Sequence, residues 1–173
     1  MTIAGKMKKA YDLAYTYEDQ GGHCSQSTFR ALMDMYELDD PGAFRALGAL
    51  AGGGGLEGDS GCGAYSAALF FFGTIYGLNI EDTDGGDGVY DLAKPLHHKF
   101  IDTYGSVVCS QIHRKLFHRP FYIGDKEEHK MMAKFVQENK TDPDFIWCAH
   151  VCGNAASWAV EIFENYRAGQ QGR

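Results

Sequence analysis

The sequence predicts an all-α fold, a single-domain helical bundle. Apolar residues recur every three or four positions along most of the chain, as they do on one face of a helix. No stretch shows the alternation and hairpin turns that are typical of half-buried strands. Glycine and proline separate the helical segments, and no linker or internal repeat divides the 173 residues. We therefore expect one domain over residues 1–173, built as a bundle of helices.

The first half of the chain contains four apolar segments that end at helix-breaking residues. Gly21-Gly22 ends the first segment, and Pro41 suits the first turn of the third. The run 70–72 is all phenylalanine, which leaves strand as an alternative for the fourth segment. The predicted helices cover residues 3–19, from 24 or 25 to about 38, from 41 to about 50, and 62–77.

The second half starts with a polar, acidic loop over residues 80–90 and continues with four more helical segments. Gly105 and Pro120 end two of them, and Asp144 is placed to cap the last. The predicted helices cover residues 91–104, 109–117, 126–140, and about 145–166.

A glycine-rich loop precedes the fourth segment. Four consecutive glycines at 52–55 cannot sustain a helix, and the loop continues to Gly61. Such a loop allows the backbone to approach a bulky inorganic group beside Cys62 closely. Backbone N–H groups there can also hydrogen-bond to sulfur atoms. We predict that Gly61 and Gly63 contribute to cofactor binding.

Charge and hydropathy exclude several classes of function. The net charge is −7, and no basic patch of the kind that binds nucleic acid is present. The longest apolar run, 67–76, is far shorter than the roughly 20 residues that span a bilayer. The N-terminal residues lack the apolar stretch of a signal peptide. We expect no nucleic-acid or membrane partner and a cytoplasmic location.

The chain has five cysteines, and an odd number argues against a disulfide scaffold. Metal binding, redox catalysis and inert burial are the alternatives. Cys24, Cys62 and Cys109 each lie at or near a predicted helix N-terminus. Backbone N–H groups at such a terminus favour the thiolate, so we expect lowered thiol pKa values.

Spacing within the last helices offers a second kind of metal site. Cys148 and Cys152 are four residues apart and share a helix face, and Cys109 and His113 have the same spacing. Two thiolates and an imidazole would suit zinc. His150 is two residues from each neighbouring cysteine and is expected to point elsewhere.

Several segments carry a recognisable cysteine pattern. They occur in order at residues 23–27, 52–56, 62–67, 104–109 and 148–156. Together they resemble the redox-active family named for its C…GCAxxG…C…C pattern, over about residues 5–165. A related domain occurs in split-Soret cytochrome c, where an iron–sulfur cluster has been suggested. Two features depart from the pattern: Ala67 replaces its final glycine, and residues 80–90 and 126–140 resemble insertions.

The resemblance implies that Cys24, Cys62, Cys109 and Cys148 are the metal ligands and that Cys152 is extra. It favours an iron–sulfur protein for electron transfer or redox sensing, with a redox partner protein steered by the acidic surface. One alternative is a metal-free thiol–disulfide oxidoreductase. Another is a zinc-stabilised or plain helical interaction module that forms a homodimer.

Overall fold

A computed structural model describes residues 1–82 and 87–171, and within them the predicted all-α fold is confirmed. These residues contain eight α-helices, a short 3-10 helix and no strand; an isolated antiparallel bridge joins Gly61 and Val108. No helix in this part of the chain combines the length and apolar character needed to cross a membrane. The helices are α1 (Ile3–Asp19), α2 (Cys24–Tyr36), α3 (Pro41–Ala46), the 3-10 helix (Leu47–Leu50), α4 (Gly63–Tyr76), α5 (Asp87–Tyr104), α6 (Cys109–Phe117), α7 (Lys126–Asn139) and α8 (Cys148–Gln171).

The central helix is α8, and α1, α2, α4 and α5 pack around it. Its buried surface is built mainly from alanine, including Ala155, Ala156 and Ala159, all fully buried. At Gly153 a Cβ atom would lie 2.7 Å from the ring of Tyr11 on α1. Small residues thus allow the neighbouring helices to approach α8 closely.

Aromatic side chains fill the space between α2, α4 and α8. Phe71 is fully buried, with its ring centroid 5.3 Å from that of Tyr36 and 5.5 Å from that of Phe163. Phe72 is also fully buried. The phenylalanine run therefore lies in a helix, with Phe71 and Phe72 in the core and Phe70 half-buried against it. Full burial of one such ring is worth about 1.5–3 kcal/mol.

Two helices begin at positions that differ from the prediction. α5 starts at Asp87, four residues early, and Val89 in this added turn packs against the core. The predicted loop over 80–90 is therefore wrong for 87–90, while residues 83–86 lie outside the described part of the chain. α8 starts at Cys148 because residues 142–145 form a turn in which Asp142 accepts a hydrogen bond from the Asp144 N–H (2.9 Å).

The glycine run folds into a left-handed turn. All four glycines from 52 to 55 have φ between +57° and +78°, a region that is costly for residues with a Cβ atom. The loop that follows is joined to α6: Ser60 O accepts from Cys109 N–H (3.0 Å), and Gly58 O accepts from Ser110 N–H (2.9 Å). These bonds fix the start of α6 beside the start of α4.

Candidate functional site

Four helices have a cysteine at or directly before their N-terminus, and these cysteines border one cavity of about 380 Å³. Cys24, Cys109 and Cys148 are the first residues of α2, α6 and α8, and Cys62 caps the N-terminus of α4. Although these residues are far apart in the sequence, the fold places all four at the same cavity. Cys152, one turn into α8, borders it as well.

The helix N-termini present backbone donors to this sulfur-lined space. N–H groups of Gly52 and Ser25 favour the thiolate of Cys24, and those of Ala64 and Tyr65 favour that of Cys62. The positive ends of four helix dipoles also meet here, which favours negative charge in the cavity.

Burial nevertheless controls the protonation of the thiols. The pKa values of Cys62 and Cys109 are raised to about 12, mainly by burial and to a smaller extent by the neighbouring cysteines. Burial likewise raises the pKa values of Cys24 and Cys148. The prediction of lowered thiol pKa values is therefore wrong for the metal-free protein. Its cysteines are protonated at neutral pH.

His113 lies between two of the cysteines. Its Nε2 atom is 3.5 Å from Cys148 Sγ and 3.9 Å from Cys109 Sγ. On the other side of the ring, Nδ1 accepts a hydrogen bond from the Phe121 backbone N–H (3.4 Å). Burial lowers the pKa of His113 to about 4, so the imidazole is neutral at neutral pH.

Cys152 and His150 have surroundings that differ from those of the four N-terminal cysteines. The fully buried Cys152 thiol donates to the backbone oxygen of Cys24 (3.7 Å), which ties α8 to α2. His150 does not border the cavity; its ring packs against Tyr15, with a centroid distance of 4.9 Å. Its Nδ1 accepts from the Trp147 N–H (3.2 Å) at the start of α8.

The two glycines predicted to bind a cofactor do not border the cavity, whereas Gly52 does. Gly61 forms the bridge with Val108. Gly63 lies so close to Cys24 that a Cβ atom there would be 2.5 Å from the Cys24 sulfur. Gly63 thus allows α4 to approach α2 where two cysteines meet, and cofactor binding by Gly61 and Gly63 stays a prediction.

Sequence reasoning missed Glu18, near the end of α1. Glu18 borders the cavity and accepts a hydrogen bond from Ser27 Oγ (2.8 Å). Burial raises its pKa from 4.5 to about 7, although the hydrogen bond from Ser27 opposes that rise. The only sequence signal was the short connection 20–23, which forces the end of α1 to lie beside the start of α2.

Helix α7 forms a wall of the cavity, although its sequence suggested a charged surface helix. Met132, Ala133 and Val136 border the cavity from this helix. α7 is held in place by Phe135, whose ring centroid lies 5.8 Å from that of Phe117 on α6. A segment that resembled an insertion therefore contributes to the site.

Trp147, just before α8, also borders the cavity. Its indole Nε1 is buried and has no acceptor among the described residues. This donor is therefore unsatisfied in the metal-free chain. Among the described residues, no group of three or more His, Cys, Asp or Glu side chains is arranged to hold a metal ion.

Comparison with known families places this site in context. A family model described as "Putative redox-active protein (C_GCAxxG_C_C)" matches residues 22–162. The chain belongs to this family. The match to the C_GCAxxG_C_C family includes all five cysteines and confirms the resemblance inferred from the cysteine pattern. No curated protein and no solved structure gives a significant match.

Proposed function

We propose that this redox-active protein binds an iron–sulfur cluster through Cys24, Cys62, Cys109 and Cys148, for electron transfer or redox sensing. One observation carries the proposal: four helices have a cysteine at or directly before their N-terminus, and all four cysteines border the same cavity. Cysteine thiolates are the usual ligands of such clusters. Cys152 is excluded from the set because its thiol is engaged with the Cys24 backbone.

The chemistry of the cavity fits this group. Iron ions displace the protons of buried thiols when they bind, which overcomes the high pKa values of the metal-free cysteines. Helix N-termini then stabilise the thiolates. A bound cluster would supply reversible one-electron chemistry. The chain itself supplies the four cysteine sulfur atoms, and α7 lines one side of the cavity.

A single zinc ion is less well supported than a cluster. With Zn–S bonds of about 2.3 Å, tetrahedral geometry places the sulfur ligands about 3.8 Å apart. No three ligand side chains of the described residues are grouped to hold an ion in this way. A cluster places its own iron and sulfide atoms between the cysteines, so it suits ligands distributed around a cavity of about 380 Å³.

A metal-free thiol–disulfide oxidoreductase is the second alternative, and the pKa values argue against it. The attacking group in thiol–disulfide exchange is a thiolate, which needs an accessible cysteine with a lowered pKa. Here Cys62 and Cys109 are buried and their pKa values are raised to about 12. Such thiols react slowly.

The net charge of −7 supports a redox partner protein with a basic docking face, because opposite charges accelerate encounter. A cytoplasmic location belongs to the same proposal, since reduced cysteines are normal there. A homodimer stays a prediction.

The proposal is tested by iron and acid-labile sulfide analysis after anaerobic reconstitution. We expect both elements in the wild-type protein and a brown absorbance that is lost in air. Separate alanine variants of Cys24, Cys62, Cys109 and Cys148 should lose most of the iron. The matched control is Cys152→Ala, which should keep it. A colourless wild-type protein without iron would refute the proposal, and loss of iron from Cys152→Ala alone would refute the ligand set.

A further inference from the structure

The hydrogen bond at Nδ1 determines which nitrogen of His113 carries the proton. A backbone N–H can only donate, so the contact from Phe121 N (3.4 Å) requires an unprotonated Nδ1. A neutral imidazole has a single ring proton, which must then be on Nε2. Nε2 is the atom that faces the sulfur atoms of Cys148 and Cys109, at 3.5 and 3.9 Å.

We infer that His113 is a positioning residue that donates its Nε2–H to the sulfur atoms of Cys148 and Cys109, and that it is not a metal ligand. The inference rests on the proposed function only for its effect on a bound cluster. In the metal-free protein it rests on geometry alone. It reverses the sequence-based zinc hypothesis, in which the imidazole binds the metal.

The surroundings of the ring hold it in this orientation. His113 is 3% exposed, and its ring centroid lies 5.1 Å from that of Phe117 and 6.4 Å from that of Phe121. For Nε2 to bind a metal, its proton would have to move to Nδ1. Two N–H groups would then face each other across the 3.4 Å contact with Phe121, which is repulsive.

A donor at this position would affect a bound cluster in a defined direction. Cysteine sulfur ligands carry more negative charge when the cluster is reduced, so an N–H donor stabilises the reduced state more than the oxidised state. Hydrogen bonds to sulfur therefore raise the reduction potential. Removal of the donor should shift the midpoint potential to a more negative value and leave the ligands in place.

Nitrogen NMR of labelled histidine in the reduced, metal-free wild-type protein tests the tautomer without any substitution. We expect the proton of His113 on Nε2 and a free lone pair on Nδ1. The opposite tautomer would overturn the inference. This measurement requires no bound metal, so its outcome is independent of the outcome for the proposed function.

The same spectrum is then recorded with an NMR-active cadmium isotope, which binds thiolates strongly. Retention of the Nε2 proton, with no nitrogen–cadmium coupling, would support a donor. A coupling to Nε2 would overturn the inference by identifying His113 as a ligand. If cadmium does not bind to the cysteines, that result counts against the proposed function, and the metal-free tautomer decides the role of His113.

Substitutions of His113 measure its effect on the midpoint potential of the reconstituted protein. His113→Leu should keep the iron content and shift the midpoint potential downward. His113→Gln should restore most of the potential, because its side-chain amide places a donor near the Nε2 position. His150→Gln is the matched control, since His150 makes the same kind of backbone contact away from the cavity, and it should leave the potential unchanged. An unchanged potential in His113→Leu, or loss of iron from both His113 variants, would contradict the donor role.

Discussion

The first turn and the middle of α8 are packed in different ways. In the middle of the helix, Ala155, Ala156, Ala159 and Val160 are fully buried in a closely packed apolar core. At its N-terminus, Cys148 borders a cavity of about 380 Å³. Protein interiors are normally filled, and an open cavity beside such a core costs stability. The comparison indicates that the middle of α8 contributes more to stability than its first turn, and the open first turn is where the proposed cluster would bind.

The largest expected effect comes from removal of a core ring. Phe71→Ala should lower the free energy of unfolding by about 3–5 kcal/mol, because it leaves a void among fully buried side chains. Val136→Ala in the α7 wall should cost only about 1 kcal/mol, since the side chain borders the cavity and loses fewer packing contacts. Urea denaturation measures both values. Equal losses would show that the two regions are packed alike.

A smaller effect is expected in the loop that connects the two regions. Gly53 has φ +78°, and a Cβ atom there would lie 2.7 Å from the Cβ atom of Cys109. Gly53→Ala should therefore cost about 2–3 kcal/mol and disturb Cys109. Gly55→Ala is the control: its φ is +57°, but no atom lies within 4 Å of the added Cβ. It should cost about 1 kcal/mol.

Denaturation curves and iron content together test this pair of variants. If the loop positions Cys109, only Gly53→Ala should also reduce the iron bound after reconstitution. Equal stability of the two variants would contradict the close approach of the loop to α6.

The smallest expected effect is a pH dependence caused by Glu18. Its pKa is raised from 4.5 to about 7 in the folded chain, so between these values the folded state binds more protons than the unfolded state. The free energy of unfolding should thus fall as pH rises from about 4.5 to 7, by about 1–2 kcal/mol for a half-buried group.

The pH effect is isolated as the difference between wild-type and Glu18→Gln proteins, since the variant lacks the titrating carboxyl group. Glu138→Gln, on the exposed side of α7, is the control and should keep the wild-type slope. A wild-type slope in Glu18→Gln as well would show that another group causes the dependence.

Local patterns in the sequence were sufficient to predict most of the fold. The predicted bounds of α1 and α6 agree with the structure because glycine and proline end these helices close to their last apolar residues. The start of α5 was missed because the acidic, glycine-rich composition before it favours a loop. Only the tertiary contact of Val89 shows why the helix extends to Asp87.

The candidate site was predicted less completely. Spacing alone does not show that Cys24 and Cys148 meet; the family resemblance supplied that expectation, and the fold brings the cysteines to one cavity. Glu18 and Trp147 escaped notice because nothing local distinguishes them from surface or core residues. The effect of burial on the thiol pKa values was also hidden, since a helix N-terminus can be recognised in a sequence but the depth of burial cannot.

Iron K-edge X-ray absorption of the anaerobically reconstituted protein tests the central claim most directly. We expect a first shell of sulfur only, together with iron–iron scattering from a cluster held by cysteines. Nitrogen in the first shell, or iron without a second iron nearby, would contradict a four-cysteine cluster in this cavity.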